Sequence, residues 1–113
     1  MKLEYLFVVV DKSKTRKATE ALSESGANAL NVMPGAGTAP TSLGEVLGGE
    51  SAKSIITATV ESRYLPSIKR KLEDVLGLGT KPVGVAFTVP IRKVAGRATM
   101  RILAGECAEE EEQ

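Results

Sequence analysis

Large apolar residues alternate with small or polar ones most clearly between positions 83 and 90. Every odd position of this stretch is valine or phenylalanine, whereas positions 84, 86 and 88 are glycine, alanine and threonine. A period of two predicts a β-strand, here ending at Pro90. Apolar and β-branched runs predict three more strands, at residues 3–10, 55–60 and 27–33, the last of them weaker and ending at Pro34.

Two stretches place apolar residues at the spacing of an α-helix. In the first, Ala18, Ala21 and Leu22 recur before Gly26, which is typical of the residue that follows a helix. The second ends at Gly77, and its apolar stripe consists of Leu65, Ile68, Leu72, Val75 and Leu76.

The predicted elements follow the order β-α-β-β-α-β. This is the order of a ferredoxin-like α+β domain, in which an antiparallel sheet carries both helices on one face. A length of 113 residues suits one domain, which we assign to residues 1–106. Residues 97–103 are expected to add a short strand, and residues 107–113 to form a disordered acidic tail.

In such a domain the second face of the sheet has no helix to cover it. Residues 6–10 and 83–89 are too apolar to leave that face in water. We therefore expect an oligomer in which the uncovered faces meet. The apolar pattern alone does not distinguish two subunits from three.

Residues 38–53 contain Pro40, Gly44, Gly48 and Gly49 and only one short apolar segment. They predict a long, partly ordered loop. A loop of this length within a small domain is more often functional than idle.

The composition argues against most enzymes. Histidine is absent and Cys107 is the only cysteine, so the commonest general base and the usual ligands of a zinc site are missing. The longest apolar run, residues 6–10, is far too short to cross a membrane, and the residues around it are not expected to form a signal peptide. A cytoplasmic location is expected.

The charges are unevenly distributed. The chain has fifteen basic and fourteen acidic residues, but residues 109–112 are all glutamate, so the remainder is mildly basic. Such an excess suits a phosphate-bearing ligand or a negative partner surface, and equally suits solubility alone.

Three segments contain groups that suit an anion. Residues 35–38, Gly-Ala-Gly-Thr, offer backbone N–H groups and a hydroxyl, although a simple turn explains them too. Lys81 is either an anion contact or a solvated loop residue. Arg97 and Arg101 match phosphate oxygens, or alternatively a carboxylate of a neighbouring subunit.

Tyr5 and Phe7 share one face of the first strand, as the base-stacking residues of an RNA-binding sheet do. Residues 55–60, the expected neighbouring strand, contain no aromatic residue. We therefore expect no binding of nucleic acid through the sheet, and expect Phe7 to pack in the core.

Several segments together resemble the PII signalling proteins. The likeness extends over nearly the whole chain and is greatest to a PII-like subgroup with a short flexible loop. It is carried by the opening strand, by Glu20-Ala21-Leu22-Ser23-Glu24-Ser25-Gly26, by Gly35-Ala36-Gly37, and by Gly84-Val85-Ala86-Phe87-Thr88-Val89-Pro90 followed by Arg101 and Gly105-Glu106.

The resemblance implies a non-enzymatic homotrimer that binds an adenine nucleotide, ADP, AMP or ATP, in the clefts between subunits. It also implies that a flexible T-loop, residues 38–54, regulates a membrane transporter or a metabolic enzyme. By position, the ligand contacts would come from the T-loop base, a central strand, the B-loop at residues 79–85 and the carboxyl-terminal C-loop. These residues are Gly35, Ala36, Gly37, Thr38, Thr57, Thr59, Lys81, Gly84, Val85 and Arg101.

The chain lacks some cations that the resemblance would lead one to expect. Val85 stands where the family has a phosphate-binding lysine, Leu103 where it has a second C-loop arginine, and Ala36 where the subgroup has an arginine. Each charge-assisted contact contributes roughly 1.5 to 3 kcal/mol. ADP or AMP is therefore expected in preference to tightly bound ATP, and no tyrosine is present in the T-loop to be modified.

Two other functions are compatible with the same fold. One is a ferredoxin-like oligomer that binds a metal ion or a small metabolite without nucleotide. The other is a small enzyme. The missing histidine and the single cysteine argue against a metal site and against nucleophilic catalysis.

Overall fold

The structure, a computed structural model, describes residues 2–37, 51–80 and 83–105. Its strands are β1, Leu3–Asp11; β2, Asn28–Gly37; β3, Ser51–Glu61; and β4, Gly84–Pro90. Its helices are α1, Thr15–Glu24; α2, Leu65–Leu76; and α3, Arg97–Leu103. Short 3-10 turns at Lys12–Lys14 and Ser62–Tyr64 lead into α1 and α2.

The strands form one antiparallel sheet in the order β2-β3-β1-β4. α1 and α2 each connect two strands that are separated in the sheet by a third, which is the arrangement of a ferredoxin-like βαββαβ chain. The predicted fold class is therefore confirmed.

The core lies between the sheet and the helices α1 and α2, which pack against each other. Alternate strand residues point towards the helices, so that Leu6 lies opposite Ala58, and Val8 opposite Ile56. Burial of each large apolar side chain contributes roughly 1.5 to 3 kcal/mol. The large buried residues are Leu6, Val8, Val10, Leu22, Ile56, Val60, Ile68, Leu72 and Leu76.

The second helix ends as its sequence predicts. Gly77 adopts the left-handed conformation, with φ of 72°, which a residue with a side chain adopts less readily. Its backbone N–H donates to the carbonyl oxygen of Glu73 at 2.9 Å and so satisfies a carbonyl of the last turn.

β2 is longer than expected. It continues through Pro34, which lies opposite Ser54, to Gly37, which lies opposite Ser51. Because β2 is an edge strand, a proline in it need not remove a hydrogen bond from the ladder. The interpretation of residues 35–37 as a turn that ends the strand was therefore wrong.

β3 begins at Ser51, earlier than predicted. Residues 51–54, which we assigned to the end of the T-loop, are therefore strand. The rest of that loop, residues 38–50, lies outside the described residues.

Residues 97–103 form the helix α3 and not the short strand expected. Met100 and Leu103 are partly buried and Ala104 is buried. This spacing of three and four residues places all of them on one side of a helix. The apolar pattern of this segment was therefore read with the wrong period.

Candidate functional site

One face of the sheet carries no helix. We call it the helix-free face, and its side chains include those of Tyr5, Phe7, Val9, Asn31, Met33, Ile55, Thr57, Thr59, Val85, Phe87 and Val89. Met33, Val85, Phe87 and Val89 are between 44% and 54% exposed. Neighbouring large apolar side chains in water are typical of an interaction surface. The uncovered apolar face predicted from the alternation is thus present.

Aromatic rings form the middle of this face. Phe7 stacks on Phe87 with centroids 5.1 Å apart and ring planes 12° apart, and it meets Tyr5 edge-on, also at 5.1 Å. Phe7 therefore lies on the side opposite the helices, and the prediction that it packs in the core was wrong. The rings form a broad apolar surface that a second chain can cover.

Thr57 and Thr59 lie on the helix-free face but are each only 2% exposed. In the register, Thr57 lies between Phe7 of β1 and Asn31 of β2. Its hydroxyl has no hydrogen-bond partner among residues 2–37, 51–80 and 83–105. A buried hydroxyl without a partner costs about 1 to 3 kcal/mol.

β1 and β2 end, and β3 and β4 begin, at one end of the sheet, which we call the loop end. Here Lys53 donates a hydrogen bond of 2.6 Å to Asp11, and the two side chains are 13% and 21% exposed. Gly35 lies opposite Lys53 in the register. The ion pair joins the end of β1 to the start of β3, beside the strand positions that flank the T-loop.

Gly84 is required by packing. A Cβ at this position would collide with the carbonyl oxygen of Val9 and come within 2.7 Å of Cγ1 of Val10. The adjacent Val85 is exposed and contributes no cation. Both residues line an apolar groove of about 600 Å³ between α2 and β4.

The ligand residues implied by the resemblance are not brought together within one chain. Gly35, Ala36 and Gly37 lie on β2 at one edge of the sheet, and Gly84 and Val85 lie on β4 at the other. Two strands separate these edges, which corresponds to roughly 14 Å. Thr38 and Lys81 lie outside the described residues.

Arg101 lies at the end of the sheet opposite the loop end, in a pocket that also includes Leu3, the first residue of β1. β4 begins at the loop end and spans roughly 20 Å, which is the approximate separation of the two ends. The chain beyond β4 is held against β1 by a 3.1 Å hydrogen bond from the N–H of Ile91 to the carbonyl oxygen of Leu3. There a pocket of about 470 Å³, which we call the basic pocket, is lined by Leu3, Arg92, Lys93, Val94, Arg97, Met100 and Arg101.

Sequence reasoning identified Arg97 and Arg101 but missed Arg92 and Lys93. The two missed residues follow Pro90 by two and three positions, where the chain leaves β4. A signal was present, since both are basic and lie in the short segment between the last strand and Arg97. Their convergence with α3 required the tertiary structure.

The described part of the chain contains neither a candidate metal site nor a candidate membrane-spanning helix. Residues 2–37, 51–80 and 83–105 contain no group of three or more acidic, cysteine or histidine side chains placed to hold a metal ion. Over the same ranges, none of the helices has the length and apolar character needed to span a bilayer.

Several solved structures have a similar fold. CPII from Thiomonas intermedia K12, a nitrogen regulatory PII-like protein bound to ADP, AMP and bicarbonate, is 17% identical with a TM-score of 0.65, and the match covers 84% of this chain and 96% of that one. GlnK of B. subtilis, in a complex with ATP, is 16% identical with a TM-score of 0.62, covering 87% and 91%. CutA1 from Oryza sativa is 15% identical with a TM-score of 0.64, covering 91% and 88%.

No model of a protein family and no curated protein sequence matches the chain. At identities below 20%, the structural likeness concerns the fold. The neighbours include PII-like proteins, as the sequence resemblance led us to expect. The chain therefore has the ferredoxin-like fold of the PII-like proteins.

Proposed function

We propose that this chain is a non-enzymatic PII-like signalling protein. In this proposal it forms a homotrimer, binds an adenine nucleotide in the clefts between subunits, and regulates a transporter or a metabolic enzyme through its T-loop. The cytoplasmic location expected from the sequence stays a prediction.

The separation of the implied ligand residues is the observation that carries this proposal. Gly35 and Gly84 lie on opposite edge strands, and Arg101 lies at the far end of the sheet. A ligand that contacts residues this far apart must bind between chains. Two neighbouring subunits can supply the two edges to the same cleft.

One further observation supports an assembly. The helix-free face exposes large apolar side chains, which a neighbouring subunit would cover. CPII with ADP and AMP, and GlnK with ATP, are examples of adenine nucleotides bound by proteins of this fold.

Thermal denaturation with added ligand tests the nucleotide part. We expect AMP, ADP or ATP to raise the melting temperature in a concentration-dependent way, because a ligand that binds only the folded state stabilises it. Adenosine, magnesium and zinc serve as comparisons. A melting temperature that no nucleotide changes, but a metal ion raises, would favour the metal-binding oligomer instead.

Two variants separate the parts of the proposal. Arg101→Ala should weaken nucleotide binding without changing the mass of the oligomer, because its side chain is exposed. Deletion of residues 41–50 leaves Gly37 and Ser51, the ends of the adjoining strands, in place. It should spare nucleotide binding and abolish co-purification with a transporter or enzyme encoded beside this gene.

A further inference from the structure

A group of basic residues lies at the loop end, where β1 leads into α1. Lys12 and Lys14 belong to the 3-10 turn that follows β1, and Arg16 and Lys17 to the first turn of α1. Lys12, Arg16 and Lys17 are exposed, and Lys14 is partly exposed. We call these four residues the cationic patch.

The patch carries charge that the neighbouring acids do not neutralise. Both acidic side chains of residues 11–20 are already paired, one with Lys53 and the other with Arg16. The three lysines of the patch form no ion pair with any residue of 2–37, 51–80 or 83–105. The loop end therefore presents a positive surface on its helical side.

The first helix is charged in the opposite sense to the one that would stabilise it. The N-terminus of an α-helix carries partial positive charge, so acidic side chains are favoured in its first turn and basic ones in its last. α1 has no acidic residue in its first turn and no basic residue in its last. Departures of this kind from a local rule are expected where a surface serves a function.

The form of the patch suits an extended anionic surface. Its side chains line neither the apolar groove nor the basic pocket, so they do not enclose a small ligand. Residues 11–20 include no aromatic residue and no exposed large apolar one, whereas protein interfaces and single-stranded nucleic acids rely on such anchors.

The residue types point to a lipid surface in particular. Three of the four residues are lysine, whose compact charge attracts anions without requiring a fixed geometry. α1 is amphipathic, with Ala18, Ala21 and Leu22 buried against the core and its basic residues directed outwards. A cluster of roughly four or more lysines and arginines on an amphipathic helix is typical of binding to anionic headgroups.

The assembly would multiply this effect. Rotation about a symmetry axis leaves the height of every atom along that axis unchanged, so the patches of a homotrimer lie at one level and can contact one plane together. Such simultaneous contacts raise affinity far above that of a single patch. Gly37 and Ser51, the strand ends that flank the T-loop, lie at the same end of the sheet.

We infer that the cationic patch binds the anionic headgroups of a membrane surface and holds the protein there without insertion. The simultaneous contact of several patches rests on the proposed function, because it requires the homotrimer. The inference also deepens that function. Of the two classes of target, a membrane transporter and a metabolic enzyme, it favours the transporter, which the T-loop would reach from the bilayer surface.

Vesicle flotation with the full chain tests the inference. We expect binding to vesicles of roughly two parts phosphatidylcholine and one part phosphatidylglycerol, binding that weakens as salt is added, and none to phosphatidylcholine alone. A variant carrying Lys12→Gln, Lys14→Gln and Lys17→Gln should bind roughly a hundredfold more weakly, since each cation near such a surface contributes about fivefold. Equal binding to the neutral and the anionic vesicles would overturn the inference.

The matched control removes the same amount of charge from the second helix. It carries Lys69→Gln, Arg70→Gln and Lys71→Gln, three changes on α2 outside the patch. Its affinity for the anionic vesicles should change little. If this control weakens binding as much as the patch variant does, net charge and not the patch is responsible, and the inference is wrong.

Oligomer mass and thermal stabilisation by nucleotide, measured on the same proteins, separate this inference from the proposed function. The patch variant should keep both. If nucleotide stabilises the protein but no anionic vesicle binds, the inference fails and the proposed function stands. If the protein has the mass of one chain and binds no nucleotide, yet vesicle binding depends on the three lysines, the proposed function fails and the lipid surface is retained. Lysine-dependent binding of polyglutamate or duplex DNA in the absence of vesicle binding would also overturn the inference.

Discussion

Lys53 and Asp11 form a short ion pair across the register of β1 and β3, with 2.6 Å between Nζ and Oδ1. Both side chains are largely withdrawn from water, so the pair is screened much less than a surface pair. It joins the two central strands at the loop end.

Asp11→Asn should lower the free energy of unfolding by about 1.5 to 3 kcal/mol, because it removes a charged acceptor and leaves the lysine charge partly buried. Denaturant unfolding at fixed protein concentration measures the change. The control is Glu20→Gln, which breaks the exposed pair of Arg16 and Glu20 and should change stability very little. Equal effects of the two substitutions would contradict the importance of the buried pair.

Phe87→Asp should dissociate the proposed oligomer. Phe87 is half exposed and stacks on Phe7, so a carboxylate there would be buried without a partner wherever two helix-free faces meet. Sedimentation velocity should show the mass of one chain, with circular dichroism unchanged.

The matched control for that experiment is Val75→Asp. Val75 is an exposed apolar residue on α2, outside the helix-free face, and its substitution should leave the mass unchanged. The interface would have to be located elsewhere if Phe87→Asp kept the full mass and Val75→Asp lost it.

Gly84→Ala should destabilise the fold by about 1 to 3 kcal/mol, because the added methyl group collides with the backbone of β1 at Val9 and with Val10. Gly79→Ala tests the same change in open surroundings, where the nearest atom is Oε2 of Glu73 at 3.7 Å. Only the first variant should shift the midpoint of chemical denaturation. A neutral Gly84→Ala would mean that β4 can move away from β1 at little cost.

Thr57→Val should raise the stability of the ligand-free protein by about 1 kcal/mol, because it removes a buried hydroxyl that lacks a partner. Ser25→Ala provides a contrast of opposite sign. The Ser25 hydroxyl donates to the carbonyl oxygen of Ala21 at 2.6 Å, so its loss should destabilise. A destabilising Thr57→Val would contradict the assignment of this hydroxyl as one without a hydrogen-bond partner.

The sheet and its two covering helices were predictable because each has a strong local signal. The apolar stripe that includes Ile68 and Leu72 predicted α2, and the alternation around Phe87 predicted β4. One error arose where tertiary context outweighed a local rule. Pro34 ends a central strand but is tolerated in an edge strand, and sequence alone did not show that β2 lies at an edge.

The candidate site was less accessible to sequence reasoning. Arg101 could be identified by resemblance, whereas Arg92 and Lys93 became relevant only when the chain after β4 was seen to approach α3. Thr57 was named from the resemblance, but the missing partner of its hydroxyl depends on the packing around it. Distances between segments remote in sequence are set by the fold, and no local pattern encodes them.

Each outermost strand of the sheet carries a proline, Pro34 within β2 and Pro90 at the end of β4. A proline has no N–H to offer to an incoming strand, so both borders are poor templates for edge-to-edge addition of further chains. Edge-to-edge addition of chains into a continuous filament is therefore disfavoured at β2 and at β4, the two strands where a chain with so apolar a sheet would otherwise aggregate. In the proposed trimer, contact between copies would therefore be made through the flat of the sheet, where a closed assembly leaves no edge for further growth.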